Sequence, residues 1–231
     1  MNLQRCEVLL TSEQLQKIKE SCIVVFGIGG VGGYATEMLA RCGVGKLVLI
    51  DGDNVESSNI NRQIIALETT IGKPKVEVMK ARISDINPEC EVVACVDRVN
   101  AENVANFFVE KVDFVVDAID SVADKVALIK HCKEKNIPII SALGAGNRYK
   151  IPQFTVCDIY KTENDGLARK MRRLLKTEGI ESLDVVYTKD KPEDVEGSVV
   201  GSMAYYPAIA GCMISSFVVN SIVNIADKTE V

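Results

Sequence analysis

The sequence has eight cysteines among its 231 residues but no Cys-x-x-Cys pair. The cysteines are dispersed, at positions 6, 22, 42, 90, 95, 132, 157 and 212. This spacing argues against a structural zinc site with four cysteine ligands, which usually requires two close pairs. Dispersed cysteines are typical of free thiols in the reducing cytoplasm. We therefore expect a cytoplasmic protein without structural zinc.

Two further absences concern membranes. Residues Met1–Leu10 contain two charged residues and lack the apolar core of a signal peptide. Residues 197–226 contain no charged residue, a length sufficient for a membrane span. Pro207, two asparagines and several serines lie within this stretch, and the sequence has no other candidate span. We predict a helix buried in the core or at a subunit interface; a membrane span is the alternative.

Histidine is nearly absent, and the sequence shows no evident catalytic triad. The single histidine, His131, lies in a polar stretch of a predicted helix, which indicates a surface position. Cys212 lies in the apolar terminal segment, where a buried structural cysteine is expected more often than a nucleophile. The net charge of −5 requires no nucleic-acid partner, although a local basic patch could still supply a binding surface.

Short apolar runs alternate with helical patterns over the first 145 residues. The runs predict strands at 23–26, 46–50, 92–96, 112–118 and 137–142, and the patterns predict helices at 31–42, 75–86 and 121–135. This alternation is typical of an α/β fold with a doubly wound, Rossmann-like, mostly parallel sheet. We expect a nucleotide-binding core at about residues 20–146, with ligands at the carboxyl ends of the strands.

The pattern changes after residue 146. We predict strands at 153–160 and 185–188, a basic amphipathic helix at 165–176, a mobile acidic loop at 190–196 and a terminal helix after Pro207. These elements form a carboxyl-terminal extension, residues 147–231. The length of the chain suits a single domain spanning residues 1–231.

A glycine-rich loop follows the first predicted strand and opens a predicted helix. Its glycines are Gly27, Gly29, Gly30 and Gly32, in the run Gly-Ile-Gly-Gly-Val-Gly. Glycines permit a tight turn and let backbone N–H groups approach a phosphate at the positive end of the helix. Asp51 and Asp53 end the second strand, where a carboxylate can bind ribose hydroxyls. Because these features occur in the expected order, we predict a bound nucleotide rather than an ordinary turn.

Residues downstream of the ribose acids indicate which nucleotide to expect. Arg62 offers a forked guanidinium for phosphate oxygens, and Asn59 and Gln63 add neutral polar groups. Lys75 supplies a compact positive charge at the start of a helix. A dehydrogenase needs no arginine at this place, whereas an enzyme that handles a triphosphate does. We predict ATP rather than a nicotinamide cofactor.

Asp120 ends the fourth predicted strand, at the edge where a parallel sheet presents ligands. A lone carboxylate there suits Mg²⁺, which prefers one or two carboxylates together with phosphate oxygens. The alternatives are that Asp120 caps the helix beginning near Ser121, and that Arg62 and Lys75 are solvated surface charges.

Four segments resemble the ubiquitin-activating-type adenylyltransferases. They are Gly27–Gly32, Asp51–Gln63, Gly72–Lys75 and Asp117–Asp120, and the resemblance extends over nearly the whole chain. It implies an enzyme that adenylates a carboxylate with ATP and Mg²⁺ and releases pyrophosphate. By this resemblance Asp53 holds the ribose, Arg62 and Lys75 hold the triphosphate, and Asp120 serves the metal and the reacting phosphate.

The resemblance also implies a homodimer, because that family is dimeric. An arginine from the amino terminus of one subunit then reaches the phosphates bound by its neighbour. Arg5 occupies the matching position in this sequence. A surface arginine on a frayed end is the alternative.

Within that family the sequence is most similar to the branch of tRNA threonylcarbamoyladenosine dehydratases. Most sulfur-carrier activators contain two Cys-x-x-Cys pairs, and segments Asp117–Lys125, Ser141–Gly146 and Gly201–Gly211 resemble the dehydratase branch. The implied reaction is ATP-dependent, cyclising dehydration of a modified base in tRNA. The alternatives are adenylation of the terminal glycine of a ubiquitin-like sulfur carrier, with a sulfur-transfer or carrier protein as partner, and a non-catalytic nucleotide-binding module.

A tRNA substrate requires a phosphate-binding surface. The predicted helix at 165–176 carries Arg169, Lys170, Arg172, Arg173 and Lys176, five positive charges in eight residues. In an acidic protein this patch is a candidate for contact with the tRNA backbone. No aromatic residues alternate with the charges, so we expect the helix to anchor the backbone rather than read bases. A solvated helix face is the alternative.

Overall fold

A seven-stranded sheet with helices on both faces forms the framework of the protein. The computed structural model describes residues 1–108, 111–197 and 199–223. The strands are β1 Cys22–Phe26, β2 Lys46–Ile50, β3 Glu91–Cys95, β4 Phe114–Asp117, β5 Ile139–Ala142, β6 Phe154–Asp158 and β7 Asp184–Thr188. The helices are α1 Gln4–Glu7, α2 Ser12–Glu20, α3 Gly30–Arg41, α4 Lys75–Ile86, α5 Val122–Glu134, α6 Gly166–Thr177 and α7 Tyr205–Val223.

The strands are arranged in the order β3-β2-β1-β4-β5-β7-β6. All neighbouring pairs are parallel except β6 and β7, which pair antiparallel at one edge of the sheet. The order reverses between β1 and β4, which creates the crevice where doubly wound folds bind ligands. The predicted α/β fold with a mostly parallel sheet is therefore confirmed. The two strands of the predicted extension continue the same sheet.

The alternating side chains of β1 explain why helices cover both faces. All five residues of β1 are buried. Ile23 and Val25 pack with residues of α3, α4 and α7 on one face, while Val24 and Phe26 pack with residues of α5 and α6 on the other. A parallel strand buried on both sides needs a continuous apolar run, and Cys-Ile-Val-Val-Phe supplies it.

Helix α7 is long and apolar enough to cross a membrane by length and composition, and it packs within this fold against α3 and α2. A Cβ placed on Gly211 would lie 2.5 Å from the Val31 carbonyl oxygen, so glycine permits this close packing. The packing agrees with the predicted core helix. Helix α7 begins two residues before Pro207, which the first turn of a helix tolerates. Ser198 and residues 224–226 of the uncharged stretch lie outside the described residues.

One face of α7 remains exposed in the single chain. Tyr205, Ile209, Cys212 and Ser216 follow a spacing of three or four residues and form an exposed stripe, which we call the α7 stripe. The expectation that Cys212 is a buried structural cysteine is therefore wrong. The helical period places Cys212 opposite the face that packs on α3, a distinction that apolar composition alone does not make.

Candidate active site

A cavity of about 470 Å³ lies at the carboxyl ends of the parallel strands. Its walls come from the glycine loop after β1, from the segments that follow β2, β3, β4 and β5, and from the α6 and α7 regions. The α6 and α7 regions contribute Leu167, Val200, Ser202 and Pro207. The cavity therefore extends from the edge strand β3, across the reversal of strand order, to the basic helix.

The glycine loop is shaped by close backbone contacts. Gly27 has φ +86°, and a Cβ there would lie 2.6 Å from the Ala118 carbonyl oxygen. A Cβ on Gly32 would lie 1.8 Å from the Gly27 carbonyl oxygen, so Gly32 serves the packing of helix on loop rather than the cavity wall. Gly29 and Gly30 line the cavity where α3 begins. The first N–H groups of a helix have no partner within it, so this end can bind an anion.

The two candidate ribose acids have different partners. Both carboxylate oxygens of Asp51 accept backbone N–H groups, from Ile28 at 2.7 Å and from Asp53 at 2.8 Å. Asp51 therefore ties the glycine loop to the turn after β2. The carboxylate of Asp53 accepts no backbone N–H group among the described residues. It is therefore better placed than that of Asp51 to accept ribose hydroxyls.

Asp53 is held by two cations across the cavity floor. Lys75 Nζ lies 2.9 Å from Asp53 Oδ2, and the Arg98 guanidinium pairs with Asp53 Oδ1. Partial burial raises the pKa of the Asp53 carboxyl, but Lys75 and Arg98 outweigh it and lower the pKa below its ordinary value of 3.8. Asp53 is thus an anion at neutral pH. Sequence reasoning missed Arg98 because nothing in the sequence links it to Asp53.

The segment after Asp53 contributes two of its three predicted phosphate-binding residues to the cavity. Arg62 lines it, with Nη1 donating to the Ser58 carbonyl at 2.6 Å. Gln63 also lines it and is buried, and its Oε1 has no hydrogen-bond partner among the described residues. Asn59 does not line the cavity; its Oδ1 accepts the Glu56 N–H at 3.1 Å and closes a short turn.

Asp120 projects into the cavity from the segment after β4. It is exposed and has no hydrogen bond or ion pair within the described part of the chain. Asp124, in the first turn of α5, also lines the cavity and was missed by sequence reasoning, although its place in the first turn after a strand end was a usable signal. The described residues contain no cluster of three or more potential metal ligands. A free carboxylate facing a phosphate site is nevertheless the donor set that Mg²⁺ accepts when it binds with a nucleotide.

A fully buried ion pair lies beneath Asp120. Lys125 Nζ lies 3.0 Å from Asp117 Oδ1 and 2.9 Å from the Ile119 carbonyl oxygen. The other oxygen of Asp117 accepts the Ser141 hydroxyl at 2.7 Å. The pair joins β4, β5 and α5, and it fixes the peptide that immediately precedes Asp120.

Arg148 organises the opposite end of the cavity. Its guanidinium donates to the carbonyl oxygens of Gly144 and Gly146, at 3.1 and 3.0 Å, and to that of Asp190 at 2.7 Å. It also faces Asp165, whose side chain caps the start of α6. The loop that lines the cavity after β5 is therefore tied to the basic helix. Asp190 is anchored within the acidic loop that we expected to be mobile.

The basic helix does not present all of its positive charges to solvent. Arg169, Lys170, Arg173 and Lys176 are exposed. Arg172 turns back toward the preceding segment, where Nη1 donates to the Thr162 carbonyl at 3.1 Å and to the Thr162 hydroxyl. Four exposed cations therefore remain on α6, the helix whose first turn contributes Leu167 to the cavity wall.

The single histidine and one predicted site residue, Arg5, do not line the cavity. His131 is half-buried on α5 with its ring 4.7 Å from that of Phe108, and burial lowers its pKa. Arg5 is exposed near the amino-terminal ends of the strands, because Leu3 packs on Gly43 just before β2. The Met1 ammonium group pairs with Glu89, which likewise precedes β3. The cavity lies at the opposite, carboxyl ends of the strands. The length of the strands therefore separates Arg5 from the cavity of its own chain.

The fold and this cavity together define a nucleotide-binding α/β protein with a site for phosphates. Residues 3–230 match the ThiF family, and the chain belongs to that family. The resemblance stated from the motifs is thereby confirmed.

Similar proteins cover most of the chain. The tRNA threonylcarbamoyladenosine dehydratase of Bacillus subtilis is 40% identical over an alignment of 233 positions that covers 93% of this chain and 92% of that protein. The Escherichia coli protein of the same name is 45% identical over 170 residues, 74% of this chain and 63% of that protein. The crystal structure of the E. coli enzyme in complex with ATP has a TM-score of 0.90 at 36% identity, covering 98% of this chain and 96% of that one.

Proposed function

We propose that this protein is an ATP-dependent tRNA threonylcarbamoyladenosine dehydratase that acts as a single adenylating domain. The observation that carries the proposal is the shape of the cavity. One end has a glycine loop, an acid for ribose and two cations for phosphates, and the other end opens beside a basic helix. The similarity to dehydratases along nearly the full length of the chain supports the same activity.

Two chemical steps account for the net loss of water. In the first step, a carboxylate oxygen of the modified base attacks the α-phosphorus of ATP, and pyrophosphate leaves. In the second step, the carbamoyl group of the same base closes onto the activated carbonyl, AMP leaves, and a proton is released. Neither step requires a protein nucleophile; both require positioning and neutralisation of charge.

The residues of the cavity supply these two requirements. Asp53 accepts hydrogen bonds from the ribose hydroxyls, and the first N–H groups of α3 donate to phosphate oxygens. Arg62 and Lys75 balance the negative charge of the triphosphate as pyrophosphate leaves. Gln63 offers an unpartnered buried oxygen to a ligand donor.

Mg²⁺ is part of the proposal. Asp120 would hold it, and Asp124, which lines the same cavity, would add a second carboxylate or orient water. Bound there with ATP, the metal would neutralise charge on the phosphates. The free carboxylate of Asp120 supports this assignment.

Four exposed cations on α6, the helix whose Leu167 lines the cavity, would bind the tRNA backbone. Because the helix lacks aromatic residues between these charges, it would position the tRNA rather than identify bases. The eight cysteines are free thiols, which supports a cytoplasmic enzyme.

A homodimer is the proposed assembly. The α7 stripe is an exposed apolar helix face of the kind that a subunit interface covers. Arg5 lies at the end of the sheet away from the cavity of its own chain, so only a second subunit could bring Arg5 to the phosphates. Both observations support an active site shared between subunits.

The second candidate is adenylation of a sulfur-carrier protein, which uses the same first step. To separate the two, purified protein is given ATP, Mg²⁺ and tRNA that bears threonylcarbamoyladenosine, and the gently digested nucleosides are weighed by mass spectrometry. An ATP-dependent loss of one water supports the dehydratase. No loss, with pyrophosphate exchange only when a carrier ending in Gly-Gly is added, would replace it by the carrier activator.

The Asp120→Ala variant tests the site assignment. We expect product formation to fall by at least about a hundredfold, the scale on which loss of an electrostatic catalytic group acts. Lys80→Ala, on the exposed surface of α4, is the matched control and should retain full activity. Unchanged turnover in Asp120→Ala would remove this residue from the proposed mechanism.

A further inference from the structure

Three groups compete for the carboxylate of Asp53 once a nucleotide binds. Lys75 occupies Oδ2 at 2.9 Å, Arg98 occupies Oδ1, and the ribose hydroxyls need the same oxygens. Lys75 is almost fully buried, whereas the Arg98 side chain is 78% exposed. Arg98 is therefore the partner that can leave.

The position of Arg98 is fixed by its backbone. Its N–H donates to Asp97 Oδ1 at 2.7 Å, and its carbonyl oxygen accepts Asn103 Nδ2 at 2.9 Å. The side chain is otherwise tied only to Asp53 within the described residues. Because the backbone is fixed and the guanidinium has one partner, the side chain of Arg98 can change rotamer without moving its backbone.

The path of the Arg98 side chain depends on Gly52. A Cβ on Gly52 would lie 2.6 Å from Arg98 Cγ and 3.3 Å from Arg98 Nε. The aliphatic stem thus crosses directly over this glycine, between the ribose acid and the end of β3. Any larger residue at position 52 would require this stem to move.

We propose that Arg98 is a nucleotide-binding residue whose guanidinium leaves Asp53 when the ribose hydroxyls arrive and stacks on the adenine ring. The order of the strands supports the adenine as its target. Phosphates bind at the glycine loop after β1, and the ribose binds at Asp53 after β2. The base then lies on the side of the ribose away from the phosphates, toward β3, where Arg98 and the apolar Val99 line the wall.

The chemistry of the guanidinium suits this position. It is planar, weakly hydrated and positively charged, and it stacks on aromatic faces better than an ammonium group does. Asp53, relieved of one cation, keeps Lys75 as a buried counter-ion while it accepts the hydroxyls. Arg98 would thus bind the base, while the glycine loop, Arg62 and Lys75 would bind the phosphates.

Binding measurements with the full-length protein test this assignment without tRNA. Dissociation constants for ATP and for inorganic tripolyphosphate are measured by calorimetry, with Mg²⁺, for the wild type and for Arg98→Ala, Arg98→Lys and Arg98→Phe. We expect Arg98→Ala to weaken ATP binding roughly three- to thirtyfold and to leave tripolyphosphate binding unchanged. Arg98→Phe, flat but uncharged, should keep most of the ATP affinity, and Arg98→Lys should lose most of it.

Each other outcome overturns the proposal. Equal losses for ATP and tripolyphosphate would make Arg98 a phosphate contact. Tighter ATP binding in Arg98→Ala would mean that Arg98 only competes with the ribose hydroxyls for Asp53. Unchanged ATP binding would mean that Arg98 does not contribute to nucleotide affinity. Lys80→Ala, exposed on α4 outside the cavity, serves as the control and should bind both ligands normally. Failure of the wild type to bind ATP would count instead against the proposed function.

Discussion

At the scale of single residues, the Lys125–Asp117 pair shows how buried charge supports the site. Both side chains have no exposed surface, and each charge is compensated by the other. Removing one charge would leave its partner buried and unpaired, which costs far more than removing both. The pair therefore links the stability of the fold to the geometry of the peptide before Asp120.

We predict that Lys125→Met destabilises the protein by about 3–5 kcal/mol, because it leaves the Asp117 carboxylate buried without a counter-ion. The double variant Asp117→Asn/Lys125→Met should recover much of that loss. Urea denaturation at neutral pH, followed by circular dichroism, measures both free energies of unfolding. A loss below about 1 kcal/mol in Lys125→Met would contradict the account of a buried, uncompensated charge.

The same scale shows what local sequence can and cannot predict. Asp51 and Asp53 are two residues apart and looked equivalent, yet only the fold shows that backbone N–H groups occupy Asp51. Arg98 lies 45 residues from Asp53 and meets it only because β3 pairs with β2. Side-chain partners set by strand pairing carry no local signal, whereas the glycine loop does.

At the scale of elements, the strand and helix predictions agree closely with the structure from β1 to β7. Apolar runs and helical spacing specify these elements because each one buries a face in the core. Helices α1 and α2 were not predicted. Thr11 and Gln14 form a capping box at the start of α2, a signal present in the sequence and not used. The turn of Arg172 toward Thr162 could not be inferred from the sequence, because its charge matches that of its neighbours.

On helix α6, substitutions of the exposed cations should affect tRNA binding, and substitution of Arg172 should affect stability. We predict that combined alanine substitution of Arg169, Lys170, Arg173 and Lys176 weakens tRNA binding. The slope of the logarithm of the binding constant against the logarithm of the salt concentration should become shallower by about one for each phosphate contact that is lost. Filter binding over a series of salt concentrations measures both effects.

Arg172→Ala is the matched control on the same helix. It should leave the salt dependence unchanged and lower stability instead, by about 1–3 kcal/mol, because buried carbonyl oxygens lose their donor. A salt dependence that is the same in the fourfold variant and the wild type would place the tRNA contact elsewhere.

At the scale of the whole molecule, an active site shared between subunits makes a distinct prediction. Arg5→Ala and Asp120→Ala should each be nearly inactive alone. When they are mixed and allowed to exchange subunits, about one quarter of the wild-type activity should return, because half of the dimers are mixed and each has one intact site.

Turnover of the mixture over time measures this recovery. Ile209→Asp in both chains is the control, because a charge on the α7 stripe should prevent association and abolish the recovery. Full activity in Arg5→Ala alone would show that the amino-terminal arginine has no part in the reaction.

The close packing of α7 on α3 has a consequence for biosynthesis. Helix α3 leaves the ribosome early, but Gly211 and its neighbours are made last among the described elements, and Pro207 also closes one wall of the cavity. At ordinary translation rates the apolar face of α3 remains without α7 for on the order of ten seconds or more. During that interval the nascent chain resembles an aggregation-prone intermediate, and the complete cavity is not available to ATP as a folding ligand until α7 has been made.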